Sequence, residues 1–397
     1  MRKKTMVMTK ITAFLMTVSV AVSGCGVKND SNTVSQTEAQ TVEEAAVHDF
    51  PASREYVKNI GRTHEENGVL WLAQSASGIE FTFSGKSASI DLVGDNAADG
   101  EETSQARYAV YINGERTQDG MVNQKELHLD VYSSDIEKET TVKLLKLSEA
   151  AQSSFGIKNI TAESVGDIKP TKDKDLKIEF IGDSITCGYG VDDENRDHHF
   201  STATEDATKT YAYKTAELLD ADHSFVSYSG HGIISGYTSN GKKVTTQLVP
   251  KFYESFARTY GSSNGYYEVN ADWDFSLFVP DIVVINLGTN DDSYVKGDSE
   301  KAEEYRSAYV QFLKKVRSDN PNAYIICSLG IMGDALYPYA EKAAEDYKAE
   351  TSDTKVRAFH FKPQDGSTGY AADWHPTEAT HEIAAKELAE YIKTLID

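Results

Sequence analysis

From residue 49 to 168 the chain alternates. "GIEFTFSG" (78–85), "SASIDLVG" (87–94), "RYAVYING" (107–114), "KELHLDVYS" (125–133) and "TTVKLLKLS" (140–148) place apolar and polar residues at period two, between breaks of Gly, Asn, Asp and Ser. Such a period turns one face of each strand toward a core. Asn113-Gly114 reads as a hairpin turn. No stripe of helical spacing interrupts the run. The pattern predicts an antiparallel sandwich of jelly-roll type.

"GDIKPTKDKD" (166–175) is a charged, proline-bearing joint, and after it the period changes. "LKIEFIGDS", "SFVSYSG", "DIVVINLG", "AYIICSLG" and "VRAFHF" read as strands separated by helical stretches. Around 301–318, Tyr305, Tyr309, Phe312, Leu313 and Val316 fall on one helical face, which stops at Asn320-Pro321. Strands as apolar as "IVVINL" are buried on both sides. Residues 173–397 are therefore predicted to form a doubly wound α/β domain on a parallel sheet, with reactive groups at the carboxyl ends of its strands.

Neither pattern covers the first residues. Arg2, Lys3, Lys4 and Lys10 precede a 12-residue apolar run, "ITAFLMTVSVAV" (11–22), too short for a membrane span and suited to a secretory leader. "VSGC" then resembles a bacterial lipoprotein signal over 1–25, with Cys25 as the lipidated residue. Residues 26–48 are rich in Ser, Thr, Gln and Glu and read as a flexible tether. The expected product is a lipid-anchored protein on the outer face of a membrane, touching it only through the anchor. Formal charge is −22, and loss of the basic leader makes it more negative, which argues against nucleic acid as a partner and against adhesion to anionic lipid. Cys187 and Cys327 are the remaining cysteines, too few for a disulfide framework and read as two buried thiols.

The strand ends carry a matched set. "GDSIT" offers Ser184, "YSGHG" offers Gly230 and Gly232, "GTND" offers Asn290 and Asp291, and "DWHP" offers Asp373 and His375. Ser184 alone reads first as a helix cap. In this order, however, the four segments are the parts of an acyl-transfer site: nucleophile, base, and donors for an oxyanion. His375, before Pro376, is expected at a helix N-terminus, where the dipole keeps imidazole neutral. The Ser184 N–H, a glycine N–H of the second loop and the Asn290 amide are the candidate oxyanion donors. His198, His199, His231 and His381 are taken as surface or loop residues.

These residues resemble the SGNH hydrolases, named for serine, glycine, asparagine and histidine. The resemblance assigns the nucleophile to Ser184, the oxyanion glycine to Gly232 in preference to Gly230, the asparagine to Asn290 and the base to His375. The G-x-S-x-G elbow of α/β-hydrolases does not fit, because Thr186 occupies its second glycine position. A narrower likeness rests on "IGRTHEENGVLWLAQSASGIEFTFSG", "IEFIGDSITCGYG", "SYSGHG" and "DWHP": the chain resembles carbohydrate esterase family two. That family joins an N-terminal jelly roll to an SGNH domain and deacetylates plant polysaccharides such as xylan and glucomannan. The resemblance implies an acetylated polysaccharide or oligosaccharide as partner, and Ser–His chemistry needs neither metal nor cofactor.

One departure matters. Many SGNH enzymes read D-x-x-H, whereas here the acid stands two residues before the base, in Asp373-Trp374-His375. Either Asp373 orients His375, or a backbone carbonyl, such as that of Trp374, does so and the enzyme runs on a Ser–His dyad; the dyad is favoured. Asp183 is read as a brace of the serine turn and Asp291 of the third loop. "VDDENRDHHFSTATED" (191–206) lacks a metal-ligand spacing and is read as a solvated loop. Among the aromatic residues of 237–276, Trp273 is expected to pack. The same chemistry on a lipid, thioester or peptidoglycan O-acetyl substrate is the alternative reading, and the jelly roll is expected to buttress the site.

Overall fold

A computed structural model describes residues 44–259 and 271–396. The leader, Cys25 and the first part of the tether lie outside the described residues, as do Tyr260, Tyr266 and Tyr267. Among the described residues no helix is long and apolar enough to cross a membrane.

The first part is an antiparallel sheet of ten strands: β1 Ala46–Phe50, β2 Lys58–Ile60, β3 Thr63–Glu66, β4 Val69–Leu72, β5 Gly78–Gly94, β6 Ala106–Ile112, β7 Glu115–Val122, β8 Glu126–Lys146, β9 Phe155–Ser164 and β10 Lys169–Pro170. The antiparallel domain predicted by the alternation is present, but its strands are longer than the breaks suggested. "GIEFTFSG" and "SASIDLVG" are one strand, β5, with register shifts between Gly85 and Ser87 and between Ala88 and Ser89. The irregularity changes parity. Ile79, Phe81 and Phe83 are buried before it, Ala88, Ile90 and Leu92 after it, and all six enter one core. Without the extra residue the second half would turn its apolar face to water. Gly85 marks a close approach, because a Cβ there would lie 2.1 Å from the Glu163 carbonyl. The tether also ends earlier than expected: β1 begins at Ala46 and pairs with β9, anchored by the buried Phe50. The joint carries β10, which pairs with β5.

The second part is a five-stranded parallel sheet, β11 Leu176–Gly182, β12 Ala221–Ser227, β13 Ile282–Asn286, β14 Tyr324–Leu329 and β15 Val356–His360, in the order β12-β11-β13-β14-β15. Its helices are α1 Ser184–Cys187, α2 Tyr211–Leu218, α3 Thr289–Val295, α4 Ser299–Asp319, α5 Tyr337–Thr351 and α6 Glu378–Ile396. Strand residues alternate between two cores. Ile181, Val283, Ile285, Ile325 and Cys327 face α4 and α5, while Phe180, Val284 and Ile326 face α2 and α6. Both thiols are free and buried.

Both cores also take residues from the β domain: Trp71 and Ala73 in the first, Ala109, Leu145 and Leu147 in the second. The described residues accordingly form one compact unit. Arg62, fully buried, bonds Glu179 at 3.1 Å and the Ser255 carbonyl at 2.8 Å, with Trp273 packed 5.3 Å from its guanidinium. Strand order reverses about β11. Such a switch point opens a crevice at the carboxyl ends of the strands beside it.

Candidate active site

Ser184 opens α1 directly after β11 and Asp183. The Asp183 Oδ1 accepts the Ile185 N–H at 3.1 Å, which caps the turn. Gly182 permits the turn, since a Cβ there would sit 2.1 Å from the Thr186 hydroxyl. Ser184 is thus the first residue inside the helix rather than its cap. Its Oγ lies 2.8 Å from His375 Nε2, across 191 residues of sequence.

His375 Nδ1 lies 3.1 Å from the Ala372 carbonyl. A carbonyl only accepts, so Nδ1 carries the proton, Nε2 is bare, and the serine hydroxyl donates to it. This arrangement corrects two readings. Asp373 does not hold Nδ1: its carboxylate accepts the Tyr189 hydroxyl at 2.5 Å and meets His199 Nδ1 at 2.8 Å. Nor is Trp374 the orienting carbonyl, for its oxygen accepts Gln364 Nε2 at 2.8 Å. The cause is local backbone. Asp373 and Trp374 have φ of 47° and 64°, left-handed values that turn the Asp373 side chain away and bring the Ala372 carbonyl under the ring. Asp373 acts at one remove, because Tyr189 stacks on His375 with centroids 3.9 Å apart and planes at 12°.

The helix-dipole reading also fails: α6 begins at Glu378, three residues beyond His375. The ring is kept neutral by burial, which lowers its pKa to about 4. Burial would raise Asp373, but the bonds from Tyr189 and His199 hold it below its ordinary value.

The geometry fits Gly230, and not Gly232, to the place of an oxyanion donor. The Gly232 N–H donates to the Gln247 carbonyl at 3.2 Å, and a Cβ on Gly232 would meet Ser235 O at 2.2 Å and Asp291 Oδ2 at 2.5 Å. Gly232 is a packing glycine. Gly230 has φ of 74°, lines the cleft, and among the described residues its N–H meets no acceptor. Asn290 also lines the cleft, with Nδ2 donating to the His231 carbonyl at 2.8 Å and to Asp183 Oδ2 at 3.2 Å. Both amide hydrogens are thus engaged, and an oxyanion at this donor would have to take the hydrogen of the longer contact from Asp183. Asp291 braces the second loop, not the third, by accepting the N–H groups of Ile233, Ile234 and Ser235 at 2.7–3.0 Å. Burial raises Asp183 to about 7, with the charge of Asp291 adding, and raises Asp291 to about 6.

These groups floor a cleft of about 630 Å³. One wall is apolar, from Leu329, Met332, Ala335 and Leu336; Tyr237 and Trp374 stand at the site with 61% and 47% of their surface exposed. His198 and His199 are exposed as expected, but His231 and His381 are buried, the latter accepting the Tyr211 N–H at 3.1 Å. The 191–206 loop is partly pinned, with Asp192 on Arg107 and Lys209 and the Arg196 guanidinium 4.1 Å over Trp374. Tyr189 was missed by the sequence reading, although "GYG" three residues after the serine turn marks a bulky ring between two glycines. Nothing in the sequence singled out Ala372.

A nucleophile, a neutral base and the N–H groups of Ser184, Gly230 and Asn290 around one cleft, at the switch point of a parallel sheet, define a serine acylhydrolase site. The chain belongs to the GDSL-like lipase/acylhydrolase family, matched over residues 180–383, and residues 59–171 match the carbohydrate esterase 2 N-terminal domain. It is 32% identical to cellulase/esterase CelE of Acetivibrio thermocellus over 326 residues, 81% of this chain but 37% of that protein, so it spans little more than a third of that relative. It is 24% identical over 365 residues to an acetylxylan esterase/glucomannan deacetylase of Cellvibrio japonicus, covering 89% and 92% of the two chains. Among solved structures it resembles a family two carbohydrate esterase from Clostridium thermocellum in complex with cellohexaose, with a TM-score of 0.72 at 29% identity over 86% of this chain and 99% of that one. An acetyl xylan esterase from Butyrivibrio proteoclasticus gives 0.79 at 25% identity over 89% and 99%.

Proposed function

We propose that the protein is a serine esterase that removes O-acetyl groups from plant cell-wall polysaccharides or oligosaccharides of the xylan and glucomannan type. The observation that carries this reading is the Ser184–His375 contact of 2.8 Å on the floor of the cleft. Ser184 Oγ attacks the acetyl carbonyl carbon while its proton passes to Nε2. The oxygen that gains charge meets the N–H groups of Ser184, Gly230 and Asn290. His375 then returns the proton to the departing sugar oxygen, and a water activated by the same nitrogen releases acetate from the acyl-enzyme. The imidazolium formed in between is stabilised by the Ala372 carbonyl.

The substrate class rests on the names of the relatives and on the cleft. Exposed Tyr237 and Trp374 suit the faces of sugar rings, and the wall of Leu329, Met332 and Leu336 suits a small acyl group. The test is acetate release from acetylated xylan and glucomannan by wild type and Ser184→Ala, with long-chain aryl esters as the comparison. The reading expects acetate from either glycan, little turnover of the long esters, and an inactive variant. Activity confined to simple aryl esters would remove the glycan assignment.

The leader supports a further part of the reading, a diacylglycerol on Cys25 that tethers the enzyme outside the cell through residues 26 to about 45. Incorporation of radiolabelled palmitate by wild type, absent from Cys25→Ala, is the expected result; equal labelling of both would refute the anchor.

A further inference from the structure

The turn after β8 belongs to the β domain, yet one of its side chains reaches behind the esterase site. Glu149, in "KLLKLSEAAQ" (143–152), is fully buried. Its Oε2 accepts the Ser229 N–H at 2.6 Å and the Cys187 thiol at 3.4 Å, and Oε1 accepts Gln152 Nε2 at 3.3 Å. Ser229 directly precedes Gly230, and Cys187 closes the helix that Ser184 opens. One carboxylate therefore meets both the oxyanion loop and the nucleophile helix.

Its own backbone is held as firmly. The Glu149 N–H donates to Glu205 Oε2 at 2.8 Å, and its carbonyl accepts the buried Lys146 Nζ at 3.0 Å. On the far side, the Ser229 carbonyl accepts His231 Nδ1 at 2.9 Å. Ser229 is thus held at its N–H by Glu149 and at its carbonyl by His231, and that carbonyl shares one peptide with the Gly230 N–H. Stabilisation of an oxyanion depends on donors aimed before the charge develops, so a loop that merely wanders into place would forfeit much of it.

We propose that Glu149 is a positioning residue of the esterase site, supplied by the β domain, whose carboxylate fixes Ser229 through its N–H and so aims the Gly230 N–H, one peptide further on, at the oxyanion. The β domain then completes the catalytic apparatus rather than only supporting it. This inference rests on the esterase reading above.

The test compares Glu149→Ala, Glu149→Gln and Glu149→Asp in the full chain with p-nitrophenyl acetate, beside thermal unfolding and inhibition by a small boronic acid. A boronate bonded to Ser184 Oγ places an oxygen in the oxyanion position, so its affinity reports aim without turnover. Glu149→Ala is expected to lower kcat about 10- to 100-fold with KM within about twofold, and to weaken the boronate in proportion. Glu149→Gln retains an acceptor for the Ser229 N–H and should restore kcat to within about threefold of wild type. Glu149→Asp, one methylene short, should fall between. Unchanged kcat in Glu149→Ala, a loss of kcat without loss of boronate affinity, or a Gln variant as poor as Ala would overturn the proposal. If Glu149→Ala does not fold, Glu149→Asp decides: lower kcat at an unchanged melting temperature supports the role, and wild-type kcat refutes it. A wild-type enzyme that hydrolyses no ester would instead remove the esterase reading itself.

Discussion

Replacing Asp373 with Asn tests whether the base is oriented by a side chain or by the backbone. In a serine triad the acid accepts Nδ1–H, and its amide isostere costs roughly 10⁴ in kcat because the imidazole is held in the wrong tautomer. Here Nδ1 donates to the Ala372 carbonyl at 3.1 Å, so the tautomer does not depend on Asp373. What the substitution removes is a negative charge beside the forming imidazolium. The Asp373 side chain keeps 34% of its exposure, so solvent screens that attraction to about 1 kcal/mol, a factor of about 5. Asn retains an oxygen for the Tyr189 hydroxyl, which leaves the stack on His375 in place. The assay is kcat for p-nitrophenyl acetate, measured for Asp373→Asn beside Ser184→Ala and His375→Ala. The dyad predicts a loss of about 3- to 10-fold in the first variant and nearly complete loss in the others. A fall of a thousandfold or more in Asp373→Asn, with unchanged melting temperature, would refute the dyad.

Three further outcomes follow from the geometry. Neutral His375 is the working form and burial lowers its pKa to about 4, so its ring should stay unprotonated as pH falls through 6.5 and take up a proton only near 4; His375 ring signals that titrate at 6.5 by NMR would contradict the burial argument. Gly232→Ala forces a Cβ against Ser235 O and Asp291 and should cost about 1–3 kcal/mol, whereas Gly230→Ala, with nothing within 4 Å of the added carbon, should cost about 1–2 kcal/mol for its positive φ yet lose more activity; urea midpoints and kcat together check the pair, and a fully stable Gly232→Ala would overturn the packing assignment. Arg62→Ala leaves the buried Glu179 with only the hydroxyls of Tyr253 and Ser224 and should cost about 3–5 kcal/mol in urea unfolding; a loss below 1 kcal/mol would mean that these hydroxyls suffice for its charge.

The two periods were readable because each strand pattern answers to a single demand. Alternation in "IEFTF" and unbroken apolarity in "IVVIN" follow from one buried face and two. The length of β5 was not readable. Glycine and serine at 84–87 break a strand in most contexts, and only the close approach of Glu163 reveals that Gly85 continues one through a bulge. The early start of β1 was hidden for a related reason: "AVHDF" is exposed except at Phe50, and is held by a backbone ladder to β9 that composition does not record.

In the site, chemistry was legible and aim was not. Ser184, His375 and Asn290 were identifiable because acyl transfer requires those groups and few others stood at strand ends. Choosing between Gly230 and Gly232 needed the Gln247 carbonyl and the Asp291 carboxylate, which arrive from elsewhere in the chain. Asp373 misled for the opposite reason, since it is close in sequence and in space but turned away by two left-handed residues. The glycines and Asp291 were misread where a contact from a distant segment decides direction, and Asp373 where the local backbone does. Glu149 is the extreme case: its 2.6 Å bond spans 80 residues and crosses from the β domain into the oxyanion loop. On this reading the β domain bears on the chemistry as well as on stability, because one of its carboxylates meets both the loop that carries Gly230 and the helix that Ser184 opens.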